Sequence, residues 1–221
     1  MTRVSPRIMT LATTLLIGVA GVAQAQGAIK QKVSVVGQGL SGACQVATRQ
    51  VVATDGASLV RTKNGITASV SMPTPEPGTY CYPPANPFQP IAPAPGTPEV
   101  FTGWFFFFNH PENCAIPHAC VPPPPGGPAP NDFTRARGGV YNFAGHAISG
   151  GGTLNLVGHI ETGEEQFGGP FALENPAGAE VHLAIAPHGV VIPELLPDQI
   201  NSPVGSPPYW WVGLFKAPGA P

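Results

Sequence analysis

From Leu154 to Glu161 the apolar and polar positions alternate. Leu154, Leu156, Gly158 and Ile160 share one parity, and Asn155, Val157, His159 and Glu161 share the other. A period of two is the pattern of a strand with one face against a core. The run from Glu180 to Ala186 repeats it: Val181, Leu183 and Ile185 are predicted to face inward, with Glu180, His182, Ala184 and Ala186 on the opposite, solvated face. Ile66, Ala68, Val70 and Met72 alternate too, and they follow Leu59-Val60 across Asn64-Gly65, two residues that tolerate positive φ. A β-hairpin with a two-residue turn is predicted there, pairing Lys63 with Ile66 and Leu59 with Val70. Lys30 to Val36 and Tyr209 to Phe215 predict two further strands. The block Val100 to Phe108 is rich in aromatic residues on both parities and therefore predicts a central strand buried on both faces. Pro193 to Ile200 predicts one helical turn or a short helix, with proline near its start.

Gly150-Gly151-Gly152 and Gly168-Gly169-Pro170 interrupt the alternating runs with residues that permit positive φ or stop a ladder, so they are read as turns between antiparallel strands. Eighteen of the 29 prolines lie between Met72 and Asn131. Proline cannot donate to a ladder, so residues 73–98 and 117–130 are read as Pro-rich surface loops, and Pro122 to Pro125 as a spacer rather than a polyproline ligand. Gly37 to Gly42 fits G-x-G-x-x-G after a strand. The following Ser58 to Lys63 supplies no acidic residue and no strand–helix alternation continues, so the segment is read as a Gly-rich turn instead of a dinucleotide site. The predicted fold is all-β, an antiparallel β-sandwich or flattened barrel with long Pro-rich loops.

Composition supports this reading. Charged residues make up only 10% of the chain, and Gly and Pro together account for 57 of 221 residues, which suits short strands and long turns better than helices. Residues 1–25 carry Arg3 and Arg7, an apolar run from Ile8 to Ala20 and Ala23-Gln24-Ala25, the arrangement of a signal peptide with its cleavage site. The expected product is an exported chain, 26–221, forming a single β-rich domain in the periplasm or the medium. No later run is long enough to span a membrane. Removing the leader leaves eight basic residues against 12 acidic ones, a formal charge of −4, which argues against nucleic acid or an anionic membrane as partner. The remaining partner classes are a protein or a small ligand.

Cys44, Cys81, Cys114 and Cys120 form an even set in an exported chain, so two disulfides are predicted, with three possible pairings. The close pair Cys114 and Cys120 is read as closing a local loop, leaving Cys44 with Cys81. A zinc site built on Cys114, His118 and Cys120 would have an unusual ligand spacing.

Three blocks are distinctive: W-F-F-F-F-N-H-P-E-N-C from Trp104 with a second Cys nearby, the G-H-x-x-x-G-G-G that opens at Gly145, and E-N-P-x-G-A-E-V-H-L-x-I-x-x-H-G from Glu174. Together they resemble a family of secreted bacterial β-rich proteins with no assigned activity, over roughly Val100 to Ile200. The resemblance implies export and β architecture. Members of that kind often carry a further Cys after the D-Q-I segment, where this chain has Asn201-Ser202-Pro203. The rhythm G-x-L-x-L-x-G-x-I with a later His-bearing strand is also loosely similar to bacterial CHRD-type domains.

Candidate chemistry rests on two arrangements. His159, Glu161, Glu180 and His182 lie as His/Glu pairs two residues apart on two strands, and on neighbouring strands they would converge as ligands for a divalent transition metal, with His146 or His188 adding to the set. The other reading of this face is a solvated surface with no cofactor. His110, Glu112 and Asn113 form a candidate binding loop beside the central strand; in the structural alternative, Asn109 and Asn113 bond the backbone locally as turn caps. His118 is read as solvent-facing. No Ser/His/Asp, Cys/His or paired-carboxylate spacing points to an enzyme. The predicted function is a noncatalytic extracytoplasmic binding or envelope-associated module. The alternative is a metal-binding protein or metal-dependent enzyme.

Overall fold

The computed structural model describes residues 27–39, 50–77, 94–121, 132–164, 171–201 and 209–221. Cys44, Cys81, the leader, Pro122 to Pro125, Gly168 to Pro170 and most of both Pro-rich loops lie outside them. Among the described residues there are eight strands: β1 (Ile29–Gly39), β2 (Gln50–Arg61), β3 (Gly65–Pro73), β4 (Glu99–Phe108), β5 (Gly138–Ile148), β6 (Thr153–Glu161), β7 (Glu180–Val190) and β8 (Tyr209–Phe215). They form one sheet in the order β5-β4-β7-β8-β1-β2-β3-β6, and every pairing is antiparallel. The sheet curls into a nearly closed barrel. Its two end strands meet where Gly158 of β6 lies against the backbone and ring of Phe143 of β5, an approach that a Cβ at position 158 would block.

The alternation read from the sequence decides which side chains fill the barrel. Phe101, Phe105 and Phe107 of β4, Val181, Leu183 and Ile185 of β7, and Leu154, Leu156 and Ile160 of β6 meet in the interior with the apolar face of β2 and β3. Strand β4 is buried along its whole length, as its aromatic residues predict. Trp104, Phe106 and Phe108 project outward from it. They are covered by a second cluster that includes Phe133, Ala136, Ala184, Ala186 and the half-cystines Cys114 and Cys120. The barrel therefore has an apolar patch on its outside, roofed by the chain between β4 and β5. That chain includes the short helix α1 (Asp132–Arg135).

The hairpin of β2 and β3 forms, but its register differs from the prediction. Arg61 pairs with Ile66, Leu59 with Ala68 and Ala57 with Val70, so the turn is centred one residue earlier, on Lys63-Asn64. Thr62 causes the shift: its Oγ1 accepts the Asn64 and Gly65 N–H groups, both at 3.2 Å, and its own N–H donates to Gly65 O at 2.9 Å. Gly65 is not needed for positive φ here; a Cβ at that position would strike the Ile160 carbonyl oxygen of β6. The G-x-G-x-x-G segment also departs from a turn at its start, since Gly37 and Gly39 lie within β1.

Past β7, a 3-10 turn (Pro193–Leu195) leads into α2 (Leu196–Asn201), where the sequence predicts a short helix. Gln199, fully buried, holds this helix to the strand end: Nε2 donates to Val190 O at 3.0 Å and Oε1 accepts the Ile192 N–H at 3.0 Å. Among the described residues no helix is long and apolar enough to cross a membrane.

Candidate functional site

The outer face is roofed by a loop that the sequence stiffens in three ways. Pro111 opens a 3-10 turn (Pro111–Asn113) directly after β4. Cys114 and Cys120 are joined, with Cα atoms 5.3 Å apart. Asp132, at 1% exposure, anchors both ends: Oδ1 accepts the Ala115 N–H at 2.9 Å and Oδ2 the Val121 N–H at 3.0 Å. Within the loop, the His118 N–H donates to Pro111 O at 2.9 Å, and His118 holds φ at +58°, a conformation that is costly for a side chain with a Cβ. This geometry turns His118 back toward the barrel.

Glu180, the first residue of β7, joins the loop to the barrel. Its Oε1 accepts the Cys120 N–H at 2.9 Å and the His182 Nε2–H at 2.7 Å. The carboxylate can only accept, so Nε2 of His182 carries the proton, and the ring packs 5.3 Å from that of Phe108. Both residues are buried, Glu180 at 3% and His182 at 8% exposure. Glu180 Oε2 is buried with no hydrogen-bond partner among the described residues, and so is His118 Nδ1. These groups line a cleft of about 270 Å³, walled by Val121 of the loop and Leu214 of β8. Lys216 stands at its edge, with Nζ donating to Pro221 O at 2.5 Å. Among the described residues that line it there is no serine, threonine or reduced thiol.

The four residues expected to form one metal site fall into two separate pairs. Glu180 and His182 meet as described. His159 and Glu161 lie on β6, whose ladder partner among the described residues is β3; His159 Nδ1 is 2.8 Å from Thr67 Oγ1 on the exposed surface. Strand β7 pairs with β4 and β8, and in the nearly closed barrel β4 and β5 lie between it and β6 on one side and β8, β1, β2 and β3 on the other. The two strands are consecutive in the chain but are not neighbours in the sheet, so the expected adjacency is lost. The solvated-face reading holds for β6, where Asn155, Val157, His159 and Glu161 are exposed, and fails for β7, where the loop covers Glu180 and His182. His146 lies on the exposed part of β5. His188 is fully buried, its Nε2 2.8 Å from Thr102 Oγ1, which also accepts Trp104 Nε1–H at 2.7 Å. Among the described residues, no three His, Cys, Asp or Glu side chains are grouped so as to hold a metal ion.

The candidate binding loop splits in a similar way. His110 Nδ1 and Glu112 Oε1 face each other at 3.2 Å in solvent, Asn113 is exposed, and none of the three lines the cleft. Asn109 is the buried polar residue of the segment, and its side chain bonds segments distant in sequence instead of its own turn. Its Nδ2 donates to Arg137 O at 2.5 Å and Ala172 O at 2.9 Å, and its Oδ1 accepts the N–H groups of Glu174 at 2.8 Å and Asn175 at 3.1 Å. Beside it Arg137 grips the Glu174 carboxylate and covers the Phe171 ring; that bond holds the Glu174 carboxyl below its ordinary range. The sequence reading missed His118, Leu214 and Lys216 as cleft residues. The available signal was Pro117-His118 inside the Cys114 to Cys120 loop, which forces that histidine close to whatever the loop covers.

Because the loop is short, removing the disulfide is expected to cost about 2 kcal/mol. The Cys114→Ser, Cys120→Ser variant, measured by urea unfolding, checks this. An unchanged midpoint would mean that Asp132 and Glu180 hold the loop without the covalent link. Comparison of the chain with models of known families, with curated proteins and with solved structures finds no significant match.

Proposed function

We propose that the protein is an exported, noncatalytic binding module whose recognition site is the cleft between the disulfide loop and the ends of β7 and β8. The observation that carries this reading is Glu180. Glu180 lines the cleft at 3% exposure, and among the described residues its Oε2 has no donor. Burying an unpaired acceptor is costly, and a ligand that supplies the donor removes that cost. The rim suits a binding site, since Val121 and Leu214 are exposed at 50% and 38%. Export is supported by the leader pattern of residues 1–25, by the intramolecular disulfide and by the resemblance to secreted bacterial β-rich proteins.

Native mass spectrometry on protein recovered from the periplasm or medium tests both parts. The expected polypeptide begins near Gln26 and carries a small-molecule adduct that is absent from Leu214→Trp, in which the larger side chain fills the cleft. An adduct of equal occupancy on Leu214→Trp, or no adduct after incubation with concentrated small-molecule extract, would overturn the cleft as the recognition site.

A further inference from the structure

The geometry points to a primary alkylammonium group as the ligand moiety that the cleft receives, an inference that rests on the cleft being the binding site. The carboxylate of Glu180 is oriented by two donors that both use Oε1, the Cys120 N–H at 2.9 Å and His182 Nε2–H at 2.7 Å. Oε2 remains, buried and without a donor among the described residues. His118 Nδ1, on the loop that forms the other wall, is likewise buried and without a partner. An anionic group would be repelled by Glu180. A neutral hydroxyl would satisfy one acceptor and leave the carboxylate charge without a counter-charge. A guanidinium binds a carboxylate best through a fork that needs both oxygens, so it would have to displace the Cys120 N–H or His182. An ammonium is compact, positively charged and carries three donors, so it suits a single carboxylate oxygen and keeps donors for a second acceptor such as His118 Nδ1. Its alkyl stem would then lie along Val121 and Leu214, covering apolar surface that is otherwise in water.

Lys216 is the chain's own competitor. It stands at the edge of the same cleft and carries the same functional group, but its Nζ is engaged by Pro221 O at 2.5 Å and its side chain is exposed. This gives the proposal an independent check, because removing that ammonium should help an external amine.

The test is titration of the mature protein at neutral pH, followed by NMR, with n-butylamine, butan-1-ol and butyrate. n-Butylamine is expected to shift resonances of His118, His182 and Leu214 at least tenfold more tightly than either control. Glu180→Gln retains an oxygen for the Cys120 and His182 N–H groups, so it should fold and bind the amine at least tenfold more weakly. Lys216→Met should bind it as tightly as wild type or more so. His118→Gly, which relaxes the positive φ while removing the imidazole, should weaken it severalfold and serves if Glu180→Gln does not fold. Equal binding of butyrate, amine binding untouched by Glu180→Gln, or a response to zinc but not to the amine would overturn the proposal. If Leu214→Trp still removes a native adduct while butylamine fails to bind, the cleft remains the site and only the ammonium assignment falls.

Discussion

Asn109→Ala is expected to lower stability by about 3–5 kcal/mol, near the top of the range for single substitutions. The side chain is fully buried and makes four hydrogen bonds, donating to Arg137 O and Ala172 O and accepting from the Glu174 and Asn175 N–H groups. Truncation leaves the Ala172 carbonyl and the Glu174 and Asn175 N–H groups without their partner, and Arg137 O with the long 3.5 Å bond from the Asn109 N–H, at a site that water reaches only if the structure opens. Each stranded group costs about 1–3 kcal/mol before relaxation. Asn109→Asp should be no milder. It preserves the accepting oxygen but replaces the donating amide with a second acceptor aimed at two carbonyls. Urea unfolding gives the stability. Amide exchange should accelerate in residues 171–175 and around Arg137, because Asn109 ties both to the end of β4. A loss below about 1 kcal/mol for either variant would show that the neighbouring backbone pairs, such as His110 N–H to Ala136 O at 2.9 Å, hold the segments unaided.

The period-two alternation made the strands legible because it depends only on which face is buried. Residues Leu154 to Glu161 follow it position by position, and Tyr209–Phe215 forms a strand with the predicted bounds. Neighbour relations left no such trace. Whether β7 lies beside β6 or beside β4 changes no residue's parity, so the proposed convergence of His159, Glu161, Glu180 and His182 depended on strand order, which alternation does not encode. The hairpin shows the same limit locally. A shift of turn centre from Asn64-Gly65 to Lys63-Asn64 changes each partner by two positions and preserves every facing, and only the Thr62 hydroxyl decides between them.

Burial on the outer face was hidden for a different reason. Glu180, His182, Ala184 and Ala186 read as a solvated face because two of the four are polar, but a loop 60 residues away in sequence supplies Cys120 as a donor to Glu180. A polar residue on a strand is compatible with water or with a covering loop. The outward aromatic residues of β4 should have favoured the loop, since Trp104, Phe106 and Phe108 on the same outer face require a cover and β7 lies next to β4 under the same cover.

Arg61 is predicted to be the second large determinant, and the one that couples stability to the cleft. At 1% exposure, its guanidinium reaches three segments: Nε donates to Gln31 Oε1 at 2.7 Å, Nη1 to Ala179 O at 2.6 Å and Pro176 O at 3.0 Å, and Nη2 to Lys216 O at 3.4 Å. Ala179 and Lys216 flank the residues that wall the cleft, so this fork fixes the spacing of β7 and β8 at that end. Arg61→Ala is expected to cost about 3–5 kcal/mol and Arg61→Lys about 2 kcal/mol, because an ammonium cannot reproduce the fork. Desolvation pushes the guanidinium down to about 10. Where both folded and unfolded chains hold the proton, the penalty is constant; stability gains from this group only above about pH 10, where the unfolded chain alone retains the proton. The difference between wild type and Arg61→Ala, which leaves no titratable group at the site, should therefore be flat from about pH 5 to 9. In Arg61→Lys held folded by osmolyte, the amides of Glu180 to His182 and Leu214 to Lys216 should exchange faster while those pairing β3 with β6 keep their protection. A uniform increase across the barrel would assign Arg61 to global stability alone and detach it from the geometry of the cleft.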